Sequence, residues 1–167
     1  MSNPLEPVPT DELVAVAWIG SIPGISPQMV ATQLPEDANA DGTPAEWVTA
    51  RRGFITVTVV GGSPAPSLPL SRPVFQVDCW AVVPGSNKPP WGVANRLAEA
   101  VKQATWDRHT FSRSLTITVN RVQYPPAVVL AARLVTQPRR VWSDEGDYAR
   151  YQADLALDWI TPGYTID

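Results

Sequence analysis

Residues 53–60 read GFITVTVV and residues 74–83 read VFQVDCWAVV, and these two runs constrain the fold more than anything else in the chain. Side chains on a strand point alternately to opposite faces. Phe54, Thr56, Thr58 and Val60 therefore share one face, and Ile55, Val57 and Val59 the other. In the second run Phe75, Val77, Cys79, Ala81 and Val83 alternate with Gln76, Asp78, Trp80 and Val82. β-Branched residues dominate the first run and suit a pleated surface. Between the runs lies GGSPAPSLPLSRP, residues 61–73, whose glycines and prolines resist regular structure. The two strands are read as a hairpin with an unusually long connection. Residues 47–52 are expected to extend the first strand at its start.

A helix precedes this hairpin and another follows it. Thr10 offers an N-cap, Asp11 and Glu12 place acid in the first turn where the helix dipole favours it, and Gly20, Pro23 and Gly24 stop the helix. Pro89 or Pro90 starts a second helix over residues 90–106, in which Trp91, Ala94, Leu97, Ala98 and Val101 recur at helical spacing. Residues 27–34 read as a short strand or an irregular segment, and residues 35–45 as an acidic loop. Residues 107–113 read as a polar loop. Further strands are expected over 115–122 and 128–135, the latter continuing past Pro138 through 137–142. SDEGD, residues 143–147, makes a turn, and residues 148–160 form the last strand, with Tyr151, Ala153, Leu155, Leu157 and Trp159 on one face. The order predicts a single α+β domain over residues 10–162, an antiparallel sheet with helices packed on one face. Residues 1–9 are expected to be a flexible proline-rich arm.

Composition narrows the function. At 167 residues there is room for one domain. The net charge is −3 and the basic pairs are Arg51-Arg52 and Arg139-Arg140, so the stripe of cations that grips a phosphate backbone is missing. One cysteine, Cys79, allows no internal disulfide, which fits a reducing compartment. The N-terminus has no signal-like apolar core, and no apolar run approaches the ~18 residues that span a bilayer. No membrane association is expected.

The search for chemistry returns bland readings. There is no nucleophile elbow and no phosphate-binding glycine loop. His109, the single histidine, falls in a polar loop, and Cys79 alternates with Val77 and Ala81 as a small buried hydrophobe. Asp144, Glu145 and Asp147 lack calcium-loop spacing and read as a solvated turn. Asp154 and Asp158 share a strand face, which is more often solvent or subunit contact than an acid–base pair. No enzyme, cofactor or metal is expected.

What remains points to assembly. Seven tryptophans are many for this length, and Trp80 sits on the strand face opposite Phe75, Val77 and Cys79. It lies outside the core unless a second layer covers it. Tryptophan and arginine are the residues favoured at interface centres. The long loop carries apolar Leu68 and Leu70 and cationic Arg72, and its prolines lower the entropy lost on docking. The candidate subunit or tube interface is therefore Arg51, Arg52, Leu68, Leu70, Arg72, Trp80, Arg139 and Arg140.

The order of elements, with RPVFQVDCWAVV, then WGVANRLAEAVKQA, then a closing YARYQADLALDWI, resembles the tail terminator (tail completion, head-tail joining) proteins of long-tailed bacteriophages. Those show a strand like RVQVDVWA, a helix with A…LAE.V, and a final strand like RY..DL.L.V. The matching residues here are Val77, Asp78 and Trp80; Ala94, Leu97, Ala98, Glu99 and Val101; and Arg150, Tyr151, Asp154, Leu155 and Leu157. The resemblance covers residues 10–160. The proline-rich loop and the segment LTITVNRVQYPPAVVLAARLV depart from it. It implies an α+β fold and a hexameric ring that caps the tail tube, stops its polymerisation and receives the filled head, with DNA passing unbound through the lumen. The implied partners are the tail tube protein and a head-neck connector, the place the head-proximal end of the virion tail, after assembly in the host cytoplasm. The other readings left open are a neck, head-completion or minor tail protein, and a small-molecule-binding or enzymatic domain.

Overall fold

A computed structural model describes residues 8–142 and 147–162. Helix α1 spans Asp11–Gly20, opened by Thr10, whose hydroxyl accepts from the Leu13 amide at 3.3 Å. A 3-10 turn, Pro27–Met29, leads into the two-residue strand β1, Val30–Ala31. Residues 47–52 do not extend the next strand. Instead Glu46–Thr49 forms the short helix α2, and the chain turns through Arg51 and Gly53, both at positive φ, before strand β2, Phe54–Gly62. The long connection holds a short strand, β3, Leu70–Ser71, and the hairpin returns as β4, Pro73–Val82. Helix α3 is Trp91–Ala104 and buries Ala94, Leu97, Ala98, Val101 and Ala104. Its alanines let it lie close to the sheet. Leu97 and Val101 each contribute about 1.5–3 kcal/mol by burial.

Residues 107–113, expected to be loop, contain helix α4, Arg108–Phe111, because Asp107 accepts from the His109 amide at 2.9 Å and caps it. The strand expected over 115–122 is broken into β5, Arg113–Leu115, β6, Thr118–Val119, and β7, Val122–Gln123. Asn120 and Arg121 both adopt positive φ and turn β6 back onto β7. Asparagine tolerates that conformation, and this local turn outweighs the run of β-formers. Strand β8, Ala127–Leu134, and strand β9, Arg139–Val141, both pair with β10, Tyr148–Ile160, so the chain does resume beyond Pro138.

The sheet runs β1-β2-β4-β10-β8-β5, with β3 and β9 also paired to β10. It is antiparallel apart from the parallel β1/β2 bridge. Helices α1 and α3 share one core with the inward residues Ile55, Val57, Phe75, Val77, Cys79, Leu155 and Leu157, so both helices cover the same face. This is the α+β architecture expected from the sequence. Asp11 ties α1 to the sheet, accepting from the Trp159 indole at 2.8 Å and the Ser71 hydroxyl at 2.7 Å. The expected turn at 143–147 lies outside the described residues except for Asp147, which accepts from the Gly85 amide at 3.3 Å. Of the expected N-terminal arm, residues 1–7 also lie outside them.

Candidate functional site

The second sheet face carries an ordered polar row. Strand register places Phe54, Trp80 and Arg150 side by side, then Thr56, Asp78 and Gln152. Asp78 is 5% exposed, and it accepts from Arg150 Nε at 2.8 Å, Gln76 Nε2 at 2.8 Å and Gln152 Nε2 at 3.2 Å. A nearly buried carboxylate survives in this way, because three donors replace the water it has lost. Arg139 donates to the Gln152 side chain at 2.6 Å and so joins the row from β9. The Arg150 guanidinium lies 4.8 Å from the Trp80 ring centroid, and the Trp80 indole donates to the Thr56 hydroxyl at 2.9 Å. A small second layer covers this end of the face: Trp47 of α2 packs edge-on to Phe54 at 6.0 Å, and Ala45, Val48 and Val82 form a buried cluster with Tyr148 against it. Trp80 is thus half-buried within the chain.

At the same end, on the helix side, Arg140 is held between two indoles. Its guanidinium is 4.3 Å from the Trp91 centroid and 5.3 Å from that of Trp142. Trp91 also meets Trp142 at 5.4 Å and Tyr151 at 6.2 Å. Trp142 is 76% exposed, and no described carboxylate lies within ion-pair distance of Arg140. The patch therefore offers a stacked cation and an indole face to the outside.

The remaining candidates lie elsewhere. Arg51 and Arg52 are exposed in the turn between α2 and β2, near the Trp80 end of the sheet. Leu68, Leu70 and Arg72 are at the opposite end. There Leu68, which is 62% exposed, and Leu70 line a shallow apolar groove of about 250 Å³ with Val8, Pro64, Pro69 and Trp159. The eight candidates thus divide between the two ends of the sheet. Sequence reasoning named none of Gln152, Trp91 and Trp142 as candidates, and it gave Asp78, Arg150 and Tyr151 only as residues of the family resemblance. The available signal was the acid–arginine match of Asp78 and Arg150 on outward strand positions. Trp91 and Trp142 meet only through the fold.

Other polar groups have local partners. Burial raises the Cys79 thiol pKa far above its ordinary value, and neighbouring Asp78 adds to the shift. Burial also lowers the pKa of Arg113, against the opposing pull of Asp107, and its guanidinium donates to the Ser21 carbonyl at 2.8 Å. His109 is exposed on α4. Among the described residues no three of His, Cys, Asp and Glu come together to hold a metal, and no helix is long and apolar enough to cross a membrane.

No protein-family model matches the chain, and no curated protein matches it. Among solved structures, a chain designated only by a sequence identifier aligns over 94% of this chain and 99% of its own length, at 15% identity and a TM-score of 0.35. That score is too low to assign a shared fold.

Proposed function

We propose that this chain is a structural assembly protein of a phage tail: a ring that caps the head-proximal end of the tail tube, ends its polymerisation and offers the docking surface for a filled head. The observation that carries the assembly half of this reading is the patch of Arg140 stacked between Trp91 and the 76%-exposed Trp142. An exposed indole with a pre-stacked arginine has the composition of an interface centre, and its rigidity lowers the entropy lost on docking. The tail-terminator half is supported by the resemblance through Val77-Asp78-Trp80, the α3 stripe and Arg150-Tyr151. In the fold, Asp78 and Arg150 of these motifs join side chain to side chain across β4 and β10. Tube protein and neck connector are the partners this reading requires.

Electron microscopy of particles from a source virus lacking the gene tests it. Overlong tubes and unjoined heads are the expected result. Normal-length tails beside leaking heads move the protein to the head side of the neck, and intact infectious particles end the assembly reading. A ligand-binding reading draws on the groove of about 570 Å³ between α1 and residues 113–119, walled by Leu13, Val16 and Leu115. A thermal-shift ligand screen tests that reading, since tight binding raises apparent stability.

A further inference from the structure

After β5 the chain leaves the main sheet. β5 pairs with β8 as far as Leu115, and the residues that follow enter the separate β6/β7 hairpin. Their alternation persists: Leu115 and Ile117 are buried and Val119 half-buried, while Ser114, Thr116 and Thr118 are exposed. On α1, Leu13, Val16 and Ala17 share a face at helical spacing, and each is only half-buried. The two apolar walls enclose the groove of about 570 Å³. Sites for small molecules span roughly 300–1,000 Å³ and are mostly apolar with a few placed polar groups. Leu13 and Gly20 both line the groove, and between them α1 rises about 10 Å.

The charged side chain lining this groove is Arg113. A guanidinium carries five N–H donors in a rigid fork. Here Nε donates to the Thr110 carbonyl at 2.6 Å, and Nη1 donates to the Ser21 carbonyl at 2.8 Å and to the Ser21 hydroxyl at 2.6 Å. The Ser21 hydroxyl is itself oriented, donating to the Trp18 carbonyl at 2.6 Å. These bonds tie β5 to the end of α1 and hold the fork in one orientation. They use three donors, and the two on Nη2 have no acceptor among the described residues. No described carboxylate lies within ion-pair distance of Arg113, and Asp107 acts on it only from further away. Securing the end of α1 thus leaves a fixed, partly buried cation without a counter-ion at the wall of an apolar groove.

From this arrangement we infer that the groove binds a small molecule with one carboxylate and an apolar body: the carboxylate accepts from Nη2 of Arg113, and the body lies along Leu13, Val16, Ala17 and Val119. Two N–H donors suit one carboxylate, whereas a phosphate brings three strong acceptor oxygens and would leave acceptors unmet. Because the fork is already held, little side-chain entropy is lost when the charge-assisted bond forms. The inference rests on the ligand-binding reading of this groove, which it deepens, and is independent of the assembly reading.

Decanoate, kept below its micelle concentration, is the probe; 1-decanol and acetate are the controls, and amide NMR of the full chain follows binding. Decanoate shifts the resonances of residues 13–21 and 113–119 and binds about tenfold or more tightly than decanol, the margin of a hydrogen bond to a charged group. Acetate, which has no apolar body, leaves the spectrum unchanged at the same concentration. Ala17→Phe sets a ring in the groove while keeping Arg113, and binds neither long-chain probe. Arg113→Gln keeps the apolar walls and brings decanoate down to decanol, a change of preference that an arginine serving only the fold would not produce. Melting curves show that each variant is folded, and the decanoate-to-decanol ratio of the unmodified chain needs no variant. Equal binding of the two probes to the unmodified chain overturns acid recognition and leaves a ligand-binding groove in place. No decanoate binding, or shifts centred on the Leu68–Leu70 groove instead, overturns the inference, and the wider ligand screen then decides the ligand-binding reading separately.

Discussion

Replacing Arg150 with methionine removes the charged partner of Asp78 while keeping most of the packed stem. Asp78 is 5% exposed, and without Arg150 it is left with two amide donors, from Gln76 and Gln152. Breaking a buried pair by deleting one member costs about 3–5 kcal/mol. The surviving amides set the expectation at the lower end, about 3 kcal/mol including the lost contact with Trp80. For a chain of this size that lowers the melting temperature by about 6–12 °C. Asp78→Leu combined with Arg150→Met recovers most of the loss, because no buried charge remains; the orphaned Gln152 amide still costs about 1 kcal/mol. Urea unfolding of wild type, both single variants and the double variant measures the cycle. A loss below about 1 kcal/mol for Arg150→Met, or a double variant equal to the sum of the singles, refutes the idea of a desolvated, mutually dependent pair.

Other expectations follow from single sites. Gly53→Ala destabilises by more than about 1 kcal/mol, since Gly53 has φ +76 and an added Cβ would lie 2.6 Å from the Trp80 carbonyl oxygen; unchanged urea midpoints would contradict this. The Cys79 thiol, buried and with its pKa raised, reacts with a thiol reagent only as fast as the chain unfolds, so prompt labelling of native protein would show an opening not seen here. The Asp107 carboxyl lies below its ordinary value of 3.8 because the His109 amide and the Thr110 hydroxyl donate to it. Its stabilising share is complete above the unfolded value and is lost as pH falls through the lower folded one; an NMR titration midpoint at or above 3.8 would remove the cap of α4.

Strands with strict alternation were legible because a single periodicity decided them. β2, β4 and β10 each carry one apolar set, Ile55 and Val57, Phe75 to Cys79, and Tyr151 to Leu157, that must face the helices. The α3 stripe was legible for the same reason. Failures came where a local contact outweighed the pattern. Trp47 and Val48 have strand-forming side chains, yet they sit on a helical turn because their burial against Phe54 and Val82 is satisfied from there. Residues 115–122 alternate well, but Asn120-Arg121 folds them back on themselves. The question left by Trp80, exposed or covered, turned on α2, which no periodicity announced. The Arg140 stack joins residues from three separate elements, and only the register of β9 on β10, beside the start of α3, brings them together.

One strand holds the two halves of the sheet together. β4 with β2 lies on one side of β10, β8 and β9 lie on the other, and the two halves share no ladder. Because β10 is the last of these in chain order, the residues it joins are far apart in sequence: Val74 and Ala156 pair across it. Closing such distant contacts is slow, since chain entropy is lost before the pairing rewards it. The hairpin of β2 and β4 can form early, yet it keeps a full strand edge open until residues 148–160 arrive. During that interval the growing chain offers the same backbone groups to any neighbouring chain. The timing of β10 therefore sets the period in which the protein is most exposed to premature association.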